Sequence, residues 1–137
     1  MQTVHPYLAP LGRLLLGVIF LLAGLEKIGN LEGTAQYMAS AGFPLVPLFL
    51  IGAVIVEVIG SLALIVGYQT RWAALALALF SIAAALIFHH FWDLEGGQRA
   101  MQQINFMKNL AIAGGMLMVV HFGAGPISVD ARRGKTA

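Results

Sequence analysis

Five side chains that can move a proton or hold a polar ring lie in or beside runs that are otherwise apolar: Lys27, Glu57, His89, Lys108 and Asn109. Ionisable groups are costly in lipid, and where they occur they face a bundle interior or an aqueous cavity. Glu57 is the most informative of them, because it is the only charge in its run and falls near the middle. Helical spacing places Ala53, Gly60 and Ser61 on its face, and small residues mark surfaces where transmembrane helices approach closely. Glu57 is therefore expected to point at another helix. A carboxyl at that depth stays ionised only if a cation or several donors hold it. It can serve as a proton or headgroup site, or as a structural pin between helices.

Lys108 is the partner expected for Glu57. Ala111 and Gly115 share its face, so it also looks inward, and the vertical offset between the two is about 9 Å at the rise of an α-helix. Two long side chains or one water can close that gap, as an ion pair or as a neutral pair sharing a proton. In the first run Arg13, Gly17, Phe20, Gly24 and Lys27 recur on a single face. Arg13, near the end of its run, is expected to snorkel to a headgroup. Glu26 points about 100° away from Lys27 and reads as interfacial.

His89 ends a stripe formed by Ala74, Ala78, Ser81 and Ala85 and is the imidazole aimed inward, whereas His90 shares a face with Leu79, Ala83 and Leu86. A b-type haem needs two imidazoles at one depth on different helices. His121 falls at the opposite membrane face and His5 precedes the first run, so haem is set aside. No ligand spacing supports a metal site.

The elements that position these groups are four apolar runs, roughly 9 to 28, 45 to 66, 72 to 91 and 104 to 122, each close to the 20 residues or so that span a bilayer. The chain is 59% hydrophobic and 10% charged, against roughly 25% charged in soluble domains. The expected fold is all-α: one small membrane domain over residues 1–137, a bundle of four transmembrane helices. The first run is read as a retained helix, since no convincing small-residue cleavage site comes after it. Leu31, Ala35 and Met38 share a face in the polar segment beyond that run, which predicts a short interfacial helix stopped by Gly42 and Pro44. Trp72 and Trp92 bracket the third run as depth anchors.

Cysteine is absent, which removes thiol redox chemistry, iron–sulfur clusters and covalently attached haem. No cofactor is expected to be intrinsic, and a redox role needs a borrowed one. Nothing in the basic residues suggests nucleic acid. Counting Lys and Arg near the span ends puts Arg13, Arg71, Arg132, Arg133 and Lys135 on the side of the termini and Lys27, Arg99 and Lys108 on the other. By the positive-inside rule both termini are expected in the cytoplasm. Glu26, Glu32, Asp93, Glu95 and the paired histidines then gather at the outer face.

Several segments in order resemble the DoxX family: Arg13-Leu-Leu-Leu-Gly-Val-Ile-Phe20 with Gly24-Leu-Glu-Lys27, the loop from Gly33 to Pro44, the buried Glu57, Gly67-Tyr-Gln-Thr-Arg71, and Ile104-Asn-Phe-Met-Lys-Asn109. His89-His-Phe-Trp-Asp93 makes the chain look most like the YphA-type members, and the likeness runs from about residue 10 to the Gly125–Asp130 segment. The resemblance implies a bacterial four-helix inner-membrane protein with both termini inside. It also implies a theme of quinone-coupled sulfur oxidation and membrane redox complexes, without a reaction for the YphA type.

Three readings are open. The first is a membrane subunit of a quinone-linked redox system, in which His89, Lys108, Lys27 and Asn109 hold a quinone headgroup while Glu57 and Lys108 handle the proton. The second is a small ion-coupled transporter that uses Glu57 and Lys108 as a switch, although the spans lack an obvious inverted repeat. The third is a scaffold whose buried charges set helix register. The partners expected are the lipid bilayer and, in the first reading, other membrane or redox proteins. Glycine-rich faces leave a homo-oligomer open.

Overall fold

The computed structural model describes residues 5–134. It is a four-helix bundle whose long helices are each long and apolar enough to cross a membrane: α1 Leu8–Gly29, α3 Val46–Val66, α4 Thr70–Phe88 and α5 Gly96–Phe122. Two short helices complete it, α2 Leu31–Ser40 and α6 Val129–Arg132. Among the described residues there is no strand.

Packing depends on small side chains. Gly17 and Gly24 of α1 let α3 approach so closely that an added Cβ would lie 2.6 Å from Ile65 Cγ1 and from Val58 Cγ2, respectively. The stripe Ala74, Ala78, Ser81 and Ala85 of α4 is fully buried. Phe20, Leu64, Leu77 and Met116 fill the centre. Large apolar residues such as Leu22, Ile59, Leu79 and Met118 lie on the outside. In water that surface would be an aggregation hazard, and in hydrocarbon it is the solvated face.

The spans start and stop where local chemistry dictates. Helix α2 is capped by Asn30, whose side chain accepts from Gly33 N at 3.2 Å. It ends where Gly42 turns left-handed (φ 80°) and Phe43 N returns to Met38 O. The third span stops at Phe88, three residues before the expected end, because His89 leaves helical geometry. The fourth starts at Gly96, eight residues before the expected position 104. Apolarity marks the part of a helix that lipid covers, and Gln98, Arg99, Gln102 and Gln103 extend α5 beyond it as an ordinary polar helix.

The second spanning element, α3, is not uniform. Val56–Gly60 forms a π-helical turn with Glu57 in it. The widened turn carries one extra residue and rotates the remainder of the helix about its axis, and such turns recur at functional sites.

The ends of α1, α3 and α5 on the far side from α2 are tied by the chain's last segment. Arg13 is 3% exposed, and its guanidinium donates to Ala124 O and, at 2.6 Å, to Ile127 O. The expectation that Arg13 snorkels to headgroups is corrected by this: carbonyls of the loop after α5 satisfy it inside the protein. Asp130 of α6 accepts from Gln69 N at 2.9 Å, Thr70 N at 2.8 Å and Thr70 Oγ1 at 2.7 Å. It thereby caps α4 across sixty residues, a negative charge at a helix N-terminus. Gly67 sits between the two ties at φ 74°, and any Cβ there would collide with Ser128. Lys135, counted with this basic end, lies outside the described residues.

Candidate functional site

At the other end of the bundle, helix ends surround a cavity of about 690 Å³. Its wall includes all five residues singled out from the sequence: Lys27, Glu57, His89, Lys108 and Asn109. They arrive on four different supports. Lys27 occupies the last turn of α1, where the helix dipole favours a cation. Glu57 comes from the π-helical turn, His89 from the residue after α4, and Lys108 and Asn109 from the middle of α5.

The central contact is between Lys27 Nζ and Glu57 Oε1, 2.9 Å apart. This corrects the expected pairing of Glu57 with Lys108. Lys27 reaches Glu57 because Gly24, one turn back, has no side chain: a Cβ there would stand 2.6 Å from Val58 Cγ2 and 3.1 Å from Glu57 Cβ. Lys108 instead donates to Asn105 Oδ1 at 3.2 Å and stays exposed. The carboxyl side of the pair is 4% exposed and the lysine 26%, so one partner is deep and the other reaches the cavity. Glu57 Oε2 is buried without a hydrogen-bond partner, as is Ser81 Oγ on α4.

The glycine is thus a positioning device with a testable cost. Gly24→Ala is expected to lower stability by about 1–3 kcal/mol through overpacking against α3. Thermal unfolding in detergent measures it, and a midpoint within experimental error of the native protein would remove Gly24 from this role.

Two polar groups and an aromatic wall were not singled out from the sequence. Gln102 Oε1 lies 2.7 Å from His89 Nδ1 and fixes the ring's orientation. Asn105 orients Lys108 and accepts, through its backbone carbonyl, from Asn109 Nδ2 at 2.9 Å. Both lie on the His89 and Lys108 side of α5, and the three-residue steps from Gln102 to Asn105 and from Asn105 to Lys108 are the available signal. On the apolar side, Phe88 stacks between Tyr37 and Phe43, at 5.4 Å and 22° to the first and 5.6 Å and 8° to the second. These rings tie α2 and the loop after it to α4. The loop conformation that delivers Phe43 depends on Gly42 and on Leu45, which is left-handed at φ 51°. His90 points elsewhere, exposed, with Nδ1 against Ile87 O at 3.1 Å. Glu26 is exposed, in keeping with an interfacial position.

The fold and site define a class: a small all-helical integral membrane protein with one deep carboxylate–lysine pair in the wall of a cavity at one end of the bundle. The DoxX family model matches residues 8–90, and the chain belongs to that family. The SURF4 family model matches residues 50–136, overlapping it across α3 and α4. The inner membrane protein YphA of Escherichia coli (strain K12) is 38% identical over 128 residues, covering 93% of this chain and 91% of that protein. The inner membrane protein YqjF of the same strain is 38% identical over 120 residues, 86% of this chain and 85% of YqjF. CatD of Bacillus subtilis (strain 168), named as a candidate oxidoreductase, is 35% identical over 74 residues, 54% of each chain. No solved structure matches. With four spanning helices and inner-membrane relatives over nearly its whole length, the chain is a multi-pass inner-membrane protein.

Proposed function

We propose that this protein is a membrane subunit of a quinone-linked redox system and that the cavity holds the quinone headgroup. The observation that carries the reading is the make-up of the cavity wall. Lys27, His89, Lys108 and Asn109 supply polar groups on one side, and the stacked rings of Tyr37, Phe88 and Phe43 supply an aromatic, apolar surface on the other. A volume of about 690 Å³ falls within the roughly 300–1,000 Å³ of small-molecule sites, which combine an apolar lining with a few placed polar groups. Lys108 and Lys27 are donors suited to ring carbonyls. Glu57, held by Lys27 at 2.9 Å, is the group suited to accept or return the proton that accompanies reduction. The protein's part is orientation and proton handling, and the electrons belong to the cofactor and its partners. The oxidoreductase name of CatD points the same way.

In this reading both termini lie in the cytoplasm and the cavity faces the outer leaflet, on the strength of five Lys and Arg residues against three. The redox partners are other membrane proteins.

The test is mass spectrometry of the lipids and quinones retained after gentle purification, for the native protein and for a folded Glu57→Gln, Lys108→Met double variant. Stoichiometric quinone in the native protein and its loss in the variant are expected. No enrichment over bulk membrane in either sample sinks the proposal, and proton or solute flux by the protein alone in liposomes would then support the transporter reading.

A further inference from the structure

The charges around the cavity do not balance. Lys27 and Glu57 cancel one another at 2.9 Å, and His89 is engaged with the neutral Gln102. Lys108 meets only the neutral side chain of Asn105, and no carboxylate of the described residues pairs with it. It is a mid-helix cation in a wall that also carries the rings of Tyr37, Phe43 and Phe88. Lys108 is exposed, so an anion can reach it directly, and their attraction exceeds its value in bulk water to the extent that the cavity wall excludes solvent. A neutral carbonyl gains one hydrogen bond from such a lysine, whereas an oxyanion gains a charge-assisted one of roughly twice the strength.

Resting on the quinone reading above, we infer that the cavity selects the ionised form of an acidic quinoid ring, its oxyanion against Lys108, over a neutral quinone. The groups facing the ring are Lys27 from α1, Tyr37 from α2, Glu57 from α3, His89 after α4 and Lys108 from α5. Of these, Lys108 alone brings a charge that nothing offsets. The stacked Tyr37, Phe88 and Phe43 rings give the cavity an aromatic, apolar side against which the carbon frame of a ring ligand can pack. The ring's hydroxyl proton passes to bulk water and no electron moves.

The test uses the purified full chain in detergent with 2-hydroxy-1,4-naphthoquinone, whose anion is coloured, and 1,4-naphthoquinone as its neutral counterpart. Titration of the colour is expected to show the ionisation midpoint of the bound ring about one pH unit or more below its value in empty micelles, a tenfold preference for the anion. At neutral pH the neutral ring is expected to bind about tenfold more weakly. Lys108→Met erases both differences and Lys108→Arg keeps them. Binding of both rings with equal affinity and an unshifted midpoint in the native protein overturns the inference and leaves the quinone reading standing. Failure of both rings to bind at all overturns the inference and the quinone reading together. Displacement of the coloured ring by an equal concentration of oleate, with the same dependence on Lys108, overturns the ring specificity in favour of long-chain carboxylates.

Discussion

Lys27→Met is expected to lower the stability of this protein in detergent by about 3–5 kcal/mol, the usual cost of removing one partner of a buried ion pair. The loss does not come from the attraction alone. Glu57 is 3% exposed, and its second oxygen already lacks a hydrogen-bond partner. Without the ammonium at 2.9 Å, the carboxylate is a buried charge with nothing to offset its desolvation, and its site must open, admit water or take up a proton. The matching double variant Lys27→Met, Glu57→Met is expected to fall within about 1 kcal/mol of the native protein, since apolar replacement of a whole buried pair is often neutral. The contrast between single and double variants is the diagnostic. If Lys27→Met alone unfolds at the native midpoint, the pair does not hold α1 to α3. The double variant then isolates function: it keeps the bundle while removing the proton-handling group.

The second large effect belongs to the opposite end. Asp130→Ala removes three acceptor contacts, to Gln69 N, Thr70 N and Thr70 Oγ1, and also a negative charge that acts on Arg13. Each hydrogen bond to a charged group is worth about 1.5–3 kcal/mol, and bonds in one network are not additive. A total loss of about 3–5 kcal/mol is expected on that basis. Its signature is local: amide hydrogen exchange at Gln69 and Thr70 accelerates before the rest of α4, because the left-handed Gln69 (φ 46°) is held by nothing else as strong. Asp130→Asn, which keeps an acceptor and drops the charge, falls between. Exchange at these two amides that matches the native rate would show that α4 caps itself without the tail.

Helix positions and buried faces are legible in the sequence because small residues repeat at three- and four-residue steps. The stripe Ala74, Ala78, Ser81, Ala85 and the stripe Arg13, Gly17, Phe20, Gly24 are both buried as their spacing predicts. The identities of the cavity residues are legible for the same reason, since charge within an apolar run stands out. Which of them touch is not. Depth is counted from where apolarity begins, and α5 begins eight residues earlier, at Gly96. The π-helical turn at Val56–Gly60 then rotates Glu57 relative to the face that a regular helix would give it. No periodicity announces an extra residue in a turn. Arg13 departs from expectation for a different reason: its acceptors are the backbone carbonyls of Ala124 and Ile127, and every residue has a carbonyl, so none can be picked from side-chain types. Asp130 escapes notice because a single acid in a polar tail carries no pattern.

The tie between Arg13 and the loop after α5 also sets an order of events in time. Its two bonds join residues 111 and 114 positions apart. At about 5–20 residues per second of synthesis, roughly 6 to 23 s separate the appearance of the guanidinium from that of the carbonyls that satisfy it. Throughout that interval the first helix carries a cation with no protein partner and must keep it at the bilayer surface, in contact with water or phosphate. Only when the last segment emerges can α1 draw the charge inward and take its final depth, so the bundle closes from its end and not from its beginning.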